Sequence, residues 1–148
     1  MSLQEQLRQD LRDAMRARDA HRKSAVRMVI AAIQHAEVAT SEPLGDAEVI
    51  VLIRQEVKRR EEAVEMMKEA GREELIPGEV VELDLLRAYL PALMSEEVIT
   101  ELVKQKIDEL GVSSMRNMGR VMGTVMPLVK GKADGKMVNQ VVRRLLSA

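Results

Sequence analysis

The side chains able to do chemistry gather at one end of this sequence. Between Gly111 and Ala148 stand seven basic residues, Arg116, Arg120, Lys130, Lys132, Lys136, Arg143 and Arg144, against one acid, Asp134. The chain as a whole is net −1 at pH 7, so this segment at +6 stands apart from an acidic remainder. Clustered ammonium and guanidinium groups attract polyanions. RNA phosphate is the first candidate, because each phosphate neutralised releases a condensed counterion. The alternative is a solvated polar face, which charge runs usually are.

Other chemistry finds little support. With no cysteine, neither a disulfide nor a thiolate is available. His21 falls in a corner and His35 near a helix end, and neither has a metal-ligand partner three or four residues on. Glu61, Glu62 and Glu65 sit beside Lys58, Arg59 and Arg60, which describes a self-paired, solvated helix face. Ser113 and Ser114 lack a Lys or His to activate them, and helix capping explains them better than nucleophilic attack. Gly131-Lys132-Ala133-Asp134-Gly135-Lys136 fails as a phosphate-binding loop. No strand precedes it, the glycine spacing is wrong, and Met137 stands where a hydroxyl would hold magnesium. No catalytic residue, metal or cofactor is expected. Tyr89 is the only aromatic residue, so base stacking is not on offer. An RNA partner would be folded, and read by shape and phosphate.

The basic residues must be carried by helices. Ser2-Leu3-Gln4-Glu5 is a capping box, and Leu3, Leu7, Leu11, Ala14 and Met15 give a first helix to about Arg18. Val26, Val29, Ile30 and Ile33, widened by Ala25, Met28 and Ala32, give a second to about Ala39, antiparallel to the first. Asp46 is the expected N-cap of a third helix, marked by Val49, Leu52, Ile53, Val57, Val64 and Met67 and stopped at Gly71. Pro77 suits the start of a shorter helix through Leu83, Leu86 and Leu90.

Beyond Pro91, Ser95 caps a helix through Ile99, Leu102, Val103 and Leu110 that ends at Gly111. The basic tail then reads as two helices. The first is capped by Ser113 or Ser114 and lined by Met115, Met118, Met122, Val125 and Val129, with an end or kink at Pro127. Arg116 and Arg120, four apart, point the same way on it. Gly119 and Gly123 each cost it up to ~1 kcal/mol against alanine. A closely packed neighbouring helix is the expected reason, and an approaching ribose or phosphate the alternative. The second is capped by Asp134 and buries Val138, Val141, Val142, Leu145 and Leu146. Lys136, Gln140, Arg143 and Arg144 lie opposite that face.

The fold expected is all-α: a larger N-terminal helical-hairpin domain, 1–91, and a small C-terminal three-helix domain, 92–148. Eleven methionines in a chain without Phe or Trp suggest that Met fills its core, and softly. A charged N-terminus excludes a secretory signal, and no apolar run approaches the ~20 residues of a membrane span, so a cytoplasmic location is expected.

Several motifs together resemble the YqeY-like family. They are Arg27-Met28 with Ala31-Ala32-Ile33, Ala70-Gly71-Arg72-Glu73-Glu74-Leu75, and Tyr89-Leu90-Pro91 followed by Ser95-Glu96-Glu97. The most specific runs from Met118-Gly119-Arg120-Val121-Met122-Gly123 through the Gly131–Lys136 turn to Val138-Asn139. The family shares a domain with the tail of the B subunit of glutamine-dependent aminoacyl-tRNA amidotransferases. The resemblance implies an all-helical, two-domain protein whose tail is similar to one that helps hold tRNA. A family label would read carbon–nitrogen ligase with glutamine as amido-N-donor, yet no glutaminase, ATP site or ammonia channel is recognisable. The reading is a non-catalytic tRNA- or structured-RNA-binding protein, accessory to glutamine-dependent tRNA amidation. The contacts would come from the seven basic residues above and Asn139, with an aminoacyl-tRNA synthetase or amidotransferase as protein partner. The rival is a protein–protein interaction module that touches no nucleic acid.

Overall fold

The computed structural model describes residues 1–147. Among them lie seven α-helices and no strand: α1 (Leu3–Ala17), α2 (Ala20–Thr40), α3 (Asp46–Glu69), α4 (Ile76–Arg87), α5 (Glu96–Leu110), α6 (Met118–Val129) and α7 (Gly135–Ser147). They fall into two compact units, Met1–Leu90 and Pro91–Ala148.

In the first unit α1 starts at its capping box. Ser2 Oγ accepts from Glu5 N–H at 3.1 Å and Glu5 Oε2 accepts from Ser2 N–H at 3.2 Å. The helix ends at Arg18, which takes the left-handed conformation at φ 55°. α2 runs back antiparallel, because Gln4 Nε2 donates to Glu37 at 3.1 Å while Arg22 pairs with Asp10 at 3.2 Å. Gly45, not Asp46, is the N-cap of α3, and Asp46 Oδ1 instead accepts from Leu3 N–H at 2.9 Å. Asp46 thus ties the start of α1 to the start of α3. Gly71, at φ 71°, follows α3 in the left-handed conformation that favours glycine. Leu7, Ala25, Val26, Val29, Ile33, Val49, Ile53, Val57, Val64, Leu83 and Leu86 form the buried cluster. Met15 and Met28, expected to join it, are about half exposed.

Four polar side chains are buried in this unit: Asp10, Glu56, Arg60 and Glu82. Arg60 therefore does not lie on the solvated face that the Lys58–Glu65 sequence suggests. Asp10 accepts from Gln6 and from the Tyr89 hydroxyl, and pairs with Arg22. Burial, and then the Asp10 carboxylate, raise the Tyr89 phenol above its ordinary 10.0. The unfolded chain then releases this proton first, so the stabilisation is full below about pH 10 and falls as pH rises beyond it. Tyr89→Phe should cost about 1–2 kcal/mol at neutral pH, the range of a hydrogen bond to a charged acceptor. Above pH 10 the gap between wild type and variant should narrow, as urea denaturation across that range would read.

The second unit has its own buried cluster of Ile99, Val103, Val121, Val125, Val129, Val138, Val141, Val142 and Leu146. Methionines 94, 118, 122, 126 and 137 pack around it, partly buried. Neither unit has a methionine in its buried set among the described residues, so methionine borders these cores instead of filling them. β-Branched valine is stiff about χ1, which makes this a better-defined interior than a methionine core would be.

Candidate nucleic-acid interface

α5 is capped by Ser95, whose Oγ accepts from Val98 N–H at 3.3 Å, and Gly111 closes it at φ 66°. Ser114 then caps a 3-10 turn, Met115–Asn117, by accepting from Arg116 N–H at 3.2 Å. α6 begins only after that turn. Arg116 therefore precedes α6, and the i,i+4 alignment expected of Arg116 and Arg120 on one α-helix does not follow. The buried stripe of α6 is Val121, Val125 and Val129, while Met115 is 41% exposed. α6 continues through Pro127 to Val129, with Lys130 as its C-cap.

The turn into α7 is fixed by backbone bonds. Lys132 N–H and Ala133 N–H donate to Val129 O, and Lys132 O accepts from Met94 N–H at 2.8 Å. Gly131 takes φ 75° there. Asp134 Oδ1 accepts from Lys136 N–H at 3.0 Å at the start of α7. The one acid of the tail thus spends an oxygen on a helix N-terminus. In α7, Val138, Val141, Val142 and Leu146 are buried, and Lys136 and Arg143 lie opposite them, roughly 10 Å apart along the axis.

All seven basic side chains are exposed, and Asn139 is half-buried. Arg144 is engaged: it donates to Glu96 at 2.7 Å and to Thr100 at 3.0 Å, both on α5. Asn139 Oδ1 accepts from Arg143 Nε at 3.0 Å, which orients the guanidinium along α7. Among the described residues, Arg116, Arg120, Lys130, Lys132, Lys136 and Arg143 have no ion-pair partner. Lys130, Lys132 and Lys136 flank the turn within seven residues of sequence. Arg120 points outward from α6, where an added Cβ at Gly119 or Gly123 would meet nothing within 4 Å. Among the described residues no helix presses on those glycines as expected, and the α6 backbone is open at both.

The other chemistry-bearing side chains are occupied or isolated. His21 Nδ1 lies 3.2 Å from Glu82 Oε2, and Ser114 serves as a cap. Tyr89 spends its hydroxyl on Asp10. Sequence reasoning missed the buried cluster around Arg60, although a signal for it exists in the register of α3, whose buried residues include both Glu56 and Arg60.

The family model described as Yqey-like protein matches residues 4–146. The chain belongs to the Yqey-like family. This Yqey-like chain is 30% identical over 145 residues to "Altered inheritance of mitochondria protein 41, mitochondrial" of Pyrenophora tritici-repentis, covering 96% of the chain and 80% of the relative. The protein of that name from Eremothecium gossypii is 32% identical over 88 residues, 59% of the chain and 48% of the relative. A third similarity is to the E subunit of the glutamyl-tRNA(Gln) amidotransferase of Thermococcus sibiricus, 47% identical over 49 residues. That match covers 33% of the chain and only 8% of the amidotransferase polypeptide. The motifs pointed to the B subunit of such an enzyme, and the similarity found is to an E subunit. No helix among the described residues is long and apolar enough to cross a membrane.

Proposed function

We propose that this Yqey-like protein binds tRNA or another structured RNA without chemically altering it, as an accessory to glutamine-dependent tRNA amidation. One observation carries the reading. Six exposed cations of the second unit lack an ion-pair partner among the described residues, while Asp134, the one acid between Gly111 and Ala148, caps a helix and Glu96 of α5 is taken by Arg144. Such a surface holds polyanions by releasing their counterions. The similarity to a glutamyl-tRNA(Gln) amidotransferase polypeptide supports tRNA as the polyanion. The chain spans only 8% of that polypeptide's length, so we carry over contact with tRNA and not ligase chemistry. In this reading Lys130, Lys132, Lys136, Arg143, Arg120 and Arg116 meet phosphates, Asn139 positions Arg143, and Arg144 braces α7 on α5. The division at residue 91 would make 92–148 the binding domain, with the cytoplasm as the proposed place of work.

The test is tRNA binding at about 50 and 200 mM salt, for wild type and for Lys132→Ala/Lys136→Ala/Arg143→Ala. Wild type should weaken at least tenfold between the two salts. The triple variant should bind at least tenfold more weakly at low salt. Its slope of log K against log salt should be shallower by about one for each phosphate no longer neutralised. No wild-type binding at low salt, or an unchanged triple variant, defeats the reading.

A second reading has its own observation. Val80, with Val64 and Leu83, lines a groove of about 630 Å³ on the first unit, rimmed by Lys58, Glu61, Glu62, Glu65 and Arg87. A protein-interaction module would use such a surface, with an amidotransferase or aminoacyl-tRNA synthetase as partner. A protein retained in nuclease-treated extract, with no tRNA bound by the pure chain, would favour it.

A further inference from the structure

Charge ahead of the basic tail is strongly segregated. Residues 1–36 hold seven Lys/Arg against four acids, whereas residues 37–110 hold nine against nineteen. The four acids of the first segment are all committed. Glu5 closes the capping box, Asp10 is buried with Tyr89 and Arg22, Asp13 accepts from Gln9, and Asp19 caps α2. Of the seven cations, only Arg22 is ion-paired among the described residues. On α3 and α4, by contrast, Arg59, Arg60, Lys68 and Arg87 all are.

The unpaired cations are ordered by the helices that carry them. Arg12 and Arg16 are four apart and exposed on α1, on the side away from Leu7 and Ala14. Lys23 and Arg27 are four apart on α2 and line a shallow groove of about 510 Å³ with Ala20, Met28 and Ala31. Between the two helices Arg18 holds the left-handed conformation at φ 55°, where a side chain costs about 1 kcal/mol that glycine would not. That strained position sets a further guanidinium at the corner.

We propose that the α1–α2 corner is a second phosphate-contacting surface for structured RNA, separate from the basic tail. This rests on the RNA reading above and extends it to the first unit. The surface offers charge but no Phe, Tyr or Trp, and the one imidazole beside it, His21, lies 3.2 Å from Glu82 Oε2, which suits the regular phosphates of a helical RNA better than the stacked bases of a single strand. An anionic membrane fits less well. The apolar side of α1 is largely spent on the core, and the half-exposed Met15 and Met28 are a small apolar area to insert between lipids.

The full chain carrying Arg12→Gln/Arg16→Gln/Lys23→Gln/Arg27→Gln keeps good helix formers at every position. Its unfractionated-tRNA binding should be followed from about 50 to 200 mM salt beside wild type and the Lys132/Lys136/Arg143 variant, with circular dichroism to show that it is folded. The expected result is at least a tenfold loss of affinity at low salt and a slope shallower by about two to four. Wild-type affinity and slope in the quadruple variant, with loss in the tail variant, would overturn the second surface and leave the tail reading standing. Failure of wild type to bind tRNA would remove both. Loss of binding to phosphatidylserine vesicles with tRNA binding intact would assign the corner to membranes and also overturn the proposal.

Discussion

Replacing Arg60 with methionine should destabilise the first unit by about 3–5 kcal/mol, the range for removing one partner of a buried ion pair. The Arg60 side chain is 10% exposed and stands among Glu56 at 8%, Glu82 at 11% and Glu79 at 27%. Its Nε donates to Glu56 at 3.2 Å, and its Nη1 donates to Glu79 at 3.4 Å. The same Nη1 lies 3.2 Å from Glu82 Oε1, which accepts no aligned hydrogen bond and is held by charge. Without the guanidinium three carboxylates crowd one interior. Arg59 reaches only Glu56 and is largely exposed, so it cannot stand in. Arg60→Lys keeps the charge and loses the planar fork, and should fall between wild type and methionine. Arg60→Met/Glu56→Gln/Glu82→Leu should recover much of the loss, because the cost lies in the uncompensated carboxylates. Urea denaturation followed by circular dichroism measures all three, and a loss under 1 kcal/mol for Arg60→Met would show the cluster to be solvent-screened.

That cluster marks where the sequence stops being readable. Three helix starts were legible because capping is local chemistry: Ser2 with Glu5, Ser95 with Val98, Asp134 with Lys136. The starts of α3 and α6 were not, since Gly45 caps the one and a 3-10 turn precedes the other. The buried face of α7 was legible because its apolar residues keep one period. Arg60 was misplaced, and Glu56 passed over, because residue type was read ahead of register. Val49, Ile53, Val57 and Val64 define a stripe, and positions 56 and 60 fall within it. Asp10, between Leu7 and Ala14, gives the same signal on α1. A charge at a core register implies a partner from another element, and here those partners lie on α2, on α4 and just beyond α4.

In the candidate site the basic residues were visible, but their commitments were not. Arg144 meets Glu96 from 48 positions away, a pairing that no local spacing encodes. Arg116 lost its expected alignment because three residues wind as a 3-10 turn before α6. Methionine misled for a different reason. It is hydrophobic enough to count towards a stripe, yet flexible enough to lie at a rim, as Met15, Met28 and Met115 do.

Ile99→Ala tests whether the basic surface depends on the second unit folding by itself. Ile99 is 0% exposed, one turn into α5, in the cluster that also holds Val121, Val125, Val138 and Val142. Truncating it should cost about 2–4 kcal/mol from lost burial and the cavity left behind. A core this small rarely supplies more than about 3–5 kcal/mol in all, so the variant unit should be largely unfolded at 37 °C. If the chain divides at residue 91 as proposed, calorimetry should show one transition moved down and the first unit's transition in place. The tRNA affinity should fall with the moved transition, because α6 and α7 no longer hold Arg120, Lys136 and Arg143 in a fixed array. Both transitions moving together would mean that the units fold as one. Undiminished tRNA binding above the lowered transition would mean that loose positive charge suffices, and that the arrangement of the turn and α7 adds nothing.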